Sequence, residues 1–440
     1  MPNDIVKVVK FGGSSLADAK QFMKVKDIIT AEKERRYVVP SAPGKRFSSD
    51  TKVTDMLYKC YDIAARGGDI NPLFAEIEER YNSIIRELGL DFSLAHEFAA
   101  IKNAFIHKAG RDYAASRGEY LNGLILAEYI GFDFIDAAEV IFFKDNGTFD
   151  SERTNEELSL RLKKHRYAVV PGFYGSMPND TIKTFSRGGS DITGSIVARA
   201  AQADLYENWT DVSGFLMADP RIVENPKTIE IITYKELREL SYMGAGVLHE
   251  DSIFPVRFAG IPINIRNTNA PSDAGTMIVS HTKTENSSLI TGIAGKKGFS
   301  VITIEKDMMN SEIGFGRRVL EVLEKNDINF EHLPSGIDTM GVVVATSAIE
   351  GIRDTIMNQI CAAVEPETIS IEDGLALLAV VGRSMVRNKG TAAKIFRAIT
   401  EADVNIRMID QGSSELNIII AVDDKDLETA LKAIYAVCVK

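Results

Sequence analysis

Two hydrophobic periods alternate along the first sixty residues. "IVKVVKF" (5–11) is an almost unbroken apolar run, the pattern of a strand inside a sheet. "LADAKQFMKVKDIITAEKER" (16–35) repeats its apolar positions at helical spacing, with Phe22, Val25, Ile28 and Ile29 on one face. "YVVPSA" (37–42) returns to a strand and runs into a Pro/Gly/Lys loop. Strand, helix, strand predicts a βαβ unit, and hence a parallel sheet with helices on both faces.

Residues 61–130 are charged, helix-periodic and poor in β-branched side chains, so they read as a helical insertion. Strand patterns resume at "FDFIDAAEVIFF" (132–143), "YAVVPGFYG" (167–175), "ADLYENWTDVSGF" (203–215), "IPINIRN" (261–267) and "TMIVS" (276–280). The polar stretch "HTKTENSS" (281–288) marks a boundary, placing a first domain at 1–283.

Beyond that boundary the order of patterns recurs. "GFGRRVLEVLEKNDINFEHLPSGIDTMGVVVAT" (314–346) and "NKGTAAKIFRAITEADVNIRMIDQGSSELNIIIAV" (388–422) each give a helix, a short polar strand and an apolar strand. Each copy is preceded by a strand, "FSVITIEK" or "LALLAVVG", and followed by a helix near 349–362 or 424–437. Two βαββαβ units of about 70 residues are predicted, at 289–365 and 370–440, with strands that can interleave.

Bulk properties then narrow the function. The 440 residues carry 51 Lys and Arg against 62 Asp and Glu, a net charge of −11 without a basic block, which disfavours nucleic acid or an anionic membrane as partner. No apolar run reaches membrane-spanning length, and the N-terminal stretch lacks the apolar core of a signal peptide. Three scattered cysteines (Cys60, Cys361, Cys438) point to a reducing compartment and away from a disulfide framework, so the chain is expected to be cytoplasmic.

Four segments carry candidate chemistry. In "VVKFGGSS" a strand ends at Lys10, Phe11, Gly12 and Gly13. Bare glycine backbone lets N–H groups approach a phosphate, and the lysine adds a point charge for a phosphoryl oxygen. The spacing is not that of a P-loop. "TFSRGGSDITGSIVARAAQAD" (184–204) supplies Arg187, Ser190 and Asp191 at the start of a small-residue helix. "WTDVSGFLMADPR" (209–221) supplies Thr210, Asp211 and Arg221. In "ASRGEYLNGLILAEYI" (115–130) Glu119 is expected to open an apolar helix. Taken singly, each also reads as an ordinary turn, cap or loop.

Together, "VVKFGGSS", "VVPSAPGK…KVTDML", "SRGEYLNG", "SRGGSD", "TDVSGFLMADPR" and "MGAGVLH" occur in the order found in aspartate kinases of the amino acid kinase superfamily, which this chain resembles over essentially its whole length. The tandem repeats resemble the paired ACT domains of those enzymes. The resemblance implies an α/β fold with an amino acid kinase-like, mainly parallel sheet between helix layers, followed by two α+β ferredoxin-like ACT units. It implies transfer of the γ-phosphoryl of ATP, with Mg²⁺, to the side-chain carboxylate of L-aspartate. Lys10 and Asp191 would be catalytic. Lys10, Phe11, Gly12, Gly13, Thr210, Asp211, Leu216 and Arg221 would face the nucleotide. Ser41, Thr54, Glu119, Arg187 and Ser190 would face aspartate.

For the repeats, the resemblance implies an amino-acid effector, lysine before threonine, at Met309, Gly314, Phe315, Asn329 and Glu331. It also implies a homodimer or dimer of dimers through the ACT units. Two positions depart from the family pattern: Gly246 stands where many relatives carry lysine, and Leu216 where an aromatic is common. Both touch the nucleotide side. His249 reads as structural. The rival readings are a kinase of glutamate or of a nucleotide, and a catalytically silent amino-acid sensor.

Overall fold

The computed structural model describes residues 5–186, 188–244, 250–282, 288–386, 388–412 and 414–439. The chain divides into two units. One is formed by Met1–Phe215, Thr228–Tyr234 and Val247–Thr282, the other by Leu216–Lys227, Lys235–Gly246 and Lys283–Lys440.

The first unit begins β1 (Lys7–Phe11), α1 (Ala19–Thr30) and β2 (Arg35–Pro40), as the apolar periods predict. Four helices follow: α2 (Val53–Ala65), α3 (Asn71–Glu87), α4 (Ala95–Ile106) and α5 (Arg111–Ile130). Next come β3 (Asp133–Phe134), α6 (Ser151–Leu162), β4 (Ala168–Val169), the hairpin of β5 (Tyr174–Ser176) and β6 (Ile182–Thr184), α7 (Gly189–Ala200), β7 (Leu205–Thr210) and β8 (Ile231–Thr233). The chain then runs through α8 (Tyr234–Tyr242) to α9 (Glu250–Ala259), β9 (Ile263–Asn267) and β10 (Thr276–Val279).

The main sheet is ordered β3-β4-β2-β1-β7-β9-β10-β8, parallel throughout except between β9 and β10. β1 is central, so its apolar run is buried on both faces. Phe22, Val25, Ile28 and Ile29 of α1 are buried, and Asp18 caps that helix by accepting from the Gln21 N–H at 3.0 Å. The small residues of α7 let it lie close on β7: a Cβ on Gly194 would stand 2.3 Å from the Tyr206 hydroxyl.

One strand expectation fails. Of "FDFIDAAEVIFF" only Asp133–Phe134 is a strand, because Asp136 accepts from the Ala138 N–H at 2.9 Å and opens a 3₁₀ turn.

The second unit contains β11 (Gly292–Glu305), α10 (Phe315–Lys325), β12 (Phe330–His332), β13 (Thr339–Ala345), the single turn α11 (Thr346–Ile349) and α12 (Arg353–Val364). The second repeat adds β14 (Thr368–Val381), α13 (Thr391–Glu401), β15 (Met408–Asp410), β16 (Asn417–Asp423) and α14 (Leu427–Cys438). The strands form one antiparallel sheet, β12-β13-β11-β14-β16-β15. β11 and β14 run longer than their apolar patterns suggest, because the extra residues pair across the repeats. Gly292–Lys296 lies against Leu377–Val381, and Phe299–Glu305 against Thr368–Leu375. Ile302, Val319, Leu323, Val342, Ile356 and Ile360 close the core of the first repeat.

The segments 216–227 and 235–246 join this unit through specific bonds. The Ile293 N–H donates to the Met217 carbonyl at 2.7 Å, and the buried Glu236 carboxylate accepts from Thr291 Oγ1 at 2.5 Å and from Arg383 Nη1 at 2.9 Å. Among the described residues, no helix is long and apolar enough to cross a membrane.

Candidate active site

The parallel sheet carries its chemistry at the C-terminal end of β1, where ligands bind in open α/β folds. The chain leaves β1 through Gly12, whose N–H donates to the Trp209 carbonyl of β7 at 3.0 Å. On the other side the loop after β2 is drawn in. The Ser41 N–H donates to the Phe11 carbonyl at 3.0 Å, and the Gly44 N–H to the Gly13 carbonyl at 2.8 Å. Here glycine is required by space. A Cβ on Gly44 would lie 2.6 Å from the Gly13 carbonyl carbon, and one on Gly13 would lie 2.9 Å from the Ala42 oxygen. The two loops bound a cleft of about 580 Å³, with Thr54, Glu119, Thr210 and Asp211 also in its wall.

At one end lies a buried cation. Lys10 is 7% exposed, and its Nζ is 2.5 Å from Asp191 Oδ1. Asn208 bridges the pair: its Oδ1 accepts from Lys10 Nζ at 3.4 Å and its Nδ2 donates to Asp191 Oδ1 at 2.8 Å. Register explains the trio. Lys10 pairs with Asn208 across β1 and β7, and Asp191 occupies the first turn of α7. The ammonium is beside Gly12, within 3.5 Å of where a Cβ there would stand. A positive group held in this way is aimed at negative charge on the glycine turn.

Glu119 also faces the cleft, and its position corrects the sequence reading. It does not open a helix: α5 starts at Arg111, so Glu119 stands two turns in, 6% exposed. The polar and small residues 111–118 are helical because α5 presses on the loop after β2, where a Cβ on Gly118 would meet the Ala42 Cβ at 2.8 Å. Burial pushes the Glu119 carboxyl up to about 8, against a smaller opposing effect of the Ala42 N–H that it accepts from. Its Oε2 has no hydrogen-bond partner. A buried carboxylate oxygen in a cleft wall without a donor calls for a cationic or N–H-bearing ligand.

The structure therefore gathers Gly12, Gly13, Ser41, Thr54, Glu119, Thr210 and Asp211 around one cleft, with Lys10, Asp191 and the nearly buried Ser190 on the adjoining elements. The Phe11 side chain stacks on Trp209 with ring centroids 6.0 Å apart, which leaves only its backbone for a ligand. Leu216 and Arg221 belong to a segment of the second unit, and Arg221 is engaged by the Asp219 carboxylate at 2.6 Å. Arg187, Gly246 and His249 lie outside the described residues.

Of the expected effector residues, Met309 and Phe315 are buried in the first-repeat core, and Gly314 caps α10 with φ +81°. Asn329 lines an open hollow of about 1150 Å³ together with Arg317, Glu321 and Phe330. Glu331 accepts from the Tyr242 hydroxyl, and burial together with that carboxylate pushes the phenol up to about 12. Sequence reasoning missed Asn208, and also Asn122, whose Nδ2 donates to the Ser41 carbonyl at 2.6 Å. Asn208 had one signal: a polar position of "LYENWT" that faces β1 once the two strands pair.

The amino acid kinase family model matches residues 6–267, and an ACT domain model matches residues 378–437. Over 448 aligned residues the chain is 40% identical to aspartokinase 3 of Bacillus subtilis, covering 98% of both chains. The chain belongs to the aspartokinase family. It is an ATP-dependent kinase with ACT regulatory units, in keeping with its two-part fold. Among solved aspartokinases, the crystal structure of the Clostridium acetobutylicum aspartate kinase, described as an allosteric enzyme, superposes with a TM-score of 0.90 at 53% identity, covering 98% of this chain and 99% of that one. Escherichia coli aspartokinase III in complex with lysine and aspartate, in its T-state, superposes with a TM-score of 0.69 at 25% identity, covering 99% and 100%.

Proposed function

We propose that the cleft transfers the γ-phosphoryl of ATP to the side-chain carboxylate of L-aspartate, giving 4-phospho-L-aspartate. One observation carries the reading: Glu119, a buried carboxyl whose Oε2 has no partner, lines a small cleft whose glycine turn stands beside the buried Lys10 ammonium. These are receptors for a phosphoryl group and for an ammonium, the two groups that the reaction must bring together. The acceptor carboxylate is ionised at neutral pH, so no general base is needed. Its oxygen forms the new bond to phosphorus while the bond to the ADP oxygen breaks. The barrier is one of charge and position.

Lys10, oriented by Asp191 and Asn208, meets the transferring group where negative charge is greatest. Phe11, Gly12 and Gly13 bring bare backbone up to the phosphates; the Gly12 N–H is already donated to the Trp209 carbonyl, so phosphate oxygens are met by the Gly13 N–H and the turn that follows it. Glu119 takes the substrate ammonium, Arg187 its α-carboxylate as a bidentate fork, and Ser41, Thr54 and Ser190 its remaining polar edge. Thr210 and Asp211 face the nucleotide. Among the described residues, no group of three or more His, Cys, Asp or Glu is placed to hold a metal. Thr210 and Asp211 in the cleft wall would be available to the water shell of a Mg²⁺ carried in on the triphosphate. Such an ion would supply neutralisation of phosphate charge.

The repeats bind an end-product amino acid, lysine first, through Asn329, Glu331 and the backbone around Met309, Gly314 and Phe315. They also pair two chains in a cytoplasmic homodimer. The regulatory reading is supported by the ACT match and by the lysine complex of the Escherichia coli relative. Such an enzyme catalyses the first step toward lysine, threonine and methionine. The test is aspartate-dependent ADP formation with the acyl phosphate trapped by hydroxylamine, repeated with glutamate, and with lysine, threonine and methionine added singly and in pairs. Turnover with glutamate but not aspartate overturns the substrate assignment. Activity indifferent to all three amino acids overturns the effector assignment.

A further inference from the structure

The helical insertion sends one guanidinium into the interior of the first unit. Arg80 lies on α3, on the stripe that also buries Ile77 and Ile84, and is 5% exposed. Its Nη1 donates to Asp50 Oδ2 at 2.7 Å, and its Nη2 donates to the carbonyls of Gly44 at 2.6 Å and Ala17 at 3.1 Å. Asp50 is fixed in turn by Arg46, which donates from its backbone N–H at 3.0 Å, from Nε at 2.8 Å and from Nη2 at 3.0 Å.

The two carbonyls belong to the two segments that meet at Gly13, and of these two residues Gly44 lines the cleft. Ala17 ends the turn that follows Gly13, whereas Gly44 is the point where the loop after β2 touches Gly13. One planar fork thus ties the end of the glycine turn to the loop after β2. Only guanidinium offers donors in a rigid fan that can reach a carboxylate and two carbonyls together, because a lysine ammonium is a single point on a flexible stem. A lone buried charge would be costly, and the Asp50 pair removes that cost without using either carbonyl.

We propose that Arg80 is a positioning residue for phosphoryl transfer: it holds the Gly12–Ser14 turn and the loop 41–48 at one separation and so sets the width of the phosphate end of the cleft. The inference rests on the reading of that cleft as the ATP and aspartate site. Arg80 does not line the cleft. It lines a separate hollow of about 670 Å³ behind the loop, with Arg46, Asp50, Glu76 and Glu79. That hollow gives small solutes a path to the position of the missing side chain.

The experiment uses the full-length enzyme with three substitutions, Arg80→Ala, Arg80→Lys and Lys10→Ala. Arg80→Ala should raise the KM for ATP about tenfold or more and lower kcat, since displacements near 1 Å cost factors of this size. Millimolar guanidinium should restore most of kcat/KM, and methylammonium should not. Arg80→Lys keeps charge and most of the volume, and should stay impaired in the KM for ATP while unfolding at nearly the wild-type temperature. Folded Arg80→Ala or Arg80→Lys protein with wild-type KM and kcat overturns the proposal. So does guanidinium that raises the melting temperature of Arg80→Ala without improving kcat/KM, because that marks a purely structural role. If Arg80→Ala does not fold, Arg80→Lys decides. Lys10→Ala separates the two layers: an active Lys10→Ala enzyme refutes the reading of the cleft itself, whereas an inactive one beside unaffected Arg80 variants refutes only the positioning role.

Discussion

Under the role proposed for Glu119, the binding of aspartate becomes a proton-coupled event. Burial holds its carboxyl at about 8, against 4.5 for an ordinary glutamate. At pH 7 the empty site is therefore about nine-tenths protonated. An ammonium needs the ionised form, so substrate must displace the proton. Close to one proton should be released per aspartate bound at pH 7, and about half of one at pH 8. For the same reason log kcat/KM for aspartate should rise with unit slope from about pH 6 and level off near 8, since that ratio reports groups of the free enzyme.

Glu119→Gln keeps the shape and removes the charge. It should flatten the profile and cost about 2–4 kcal/mol of substrate binding, a factor of roughly 30 to 10³ in KM. Stability should move the other way. A carboxyl raised in the folded state makes folding take up a proton between about 4.5 and 8, so stability is full below that window and is lost as the pH rises through it. The whole effect is on the order of 5 kcal/mol at 1.36 kcal/mol per pH unit. Glu119→Gln should thus melt above the wild type at pH 9 and close to it at pH 5. Calorimetric titration of aspartate in two buffers of different ionisation enthalpy measures the released proton. A flat wild-type kcat/KM between pH 6 and 8, with no proton released, refutes the reasoning.

Other expectations follow from the same geometry. Lys10→Ala should lower kcat by 10² or more and change the aspartate KM little, because its charge is met most strongly in the transition state; steady-state kinetics checks both numbers. Asn208→Leu removes the bridge of the Lys10–Asp191 pair and should lower kcat about tenfold at unchanged aspartate KM, and an unaltered kcat counts against the bridge. Glu331→Ala should weaken inhibition by lysine while leaving the uninhibited kcat within about twofold, as inhibition curves will show. Glu236→Gln removes the buried charge that accepts from Thr291 and Arg383 and should destabilise the second unit, read as a lower denaturant midpoint.

What the sequence reveals of this site depends on how far apart its partners lie in the chain. The β1–Gly12–Gly13 turn is local: an apolar run, a lysine and two glycines are adjacent, and the physics of a phosphate cradle can be read from eight residues. Asn208 is not local. It meets Lys10 across 198 positions, and nothing in "LYENWT" marks it until β1 and β7 are known to be neighbours. Arg80 looks like a solvated charge on a helix, because its acceptors at Asp50, Gly44 and Ala17 lie 30, 36 and 63 residues away. Glu119 is intermediate. The family motif singles it out, but its depth follows from Gly118 meeting Ala42, a contact that turns an expected first-turn glutamate into a buried one with a raised pKa. The same distinction holds in the repeats, where the helix–strand order is legible from local periods, whereas the pairing of Gly292–Lys296 with Leu377–Val381 is not. A site that must bring an anion and a polyanion together is built from charges that need burial and fixed partners. Burial and partners come from topology, so the residue types can be read early and their ionisation only once the walls of the cleft are in place.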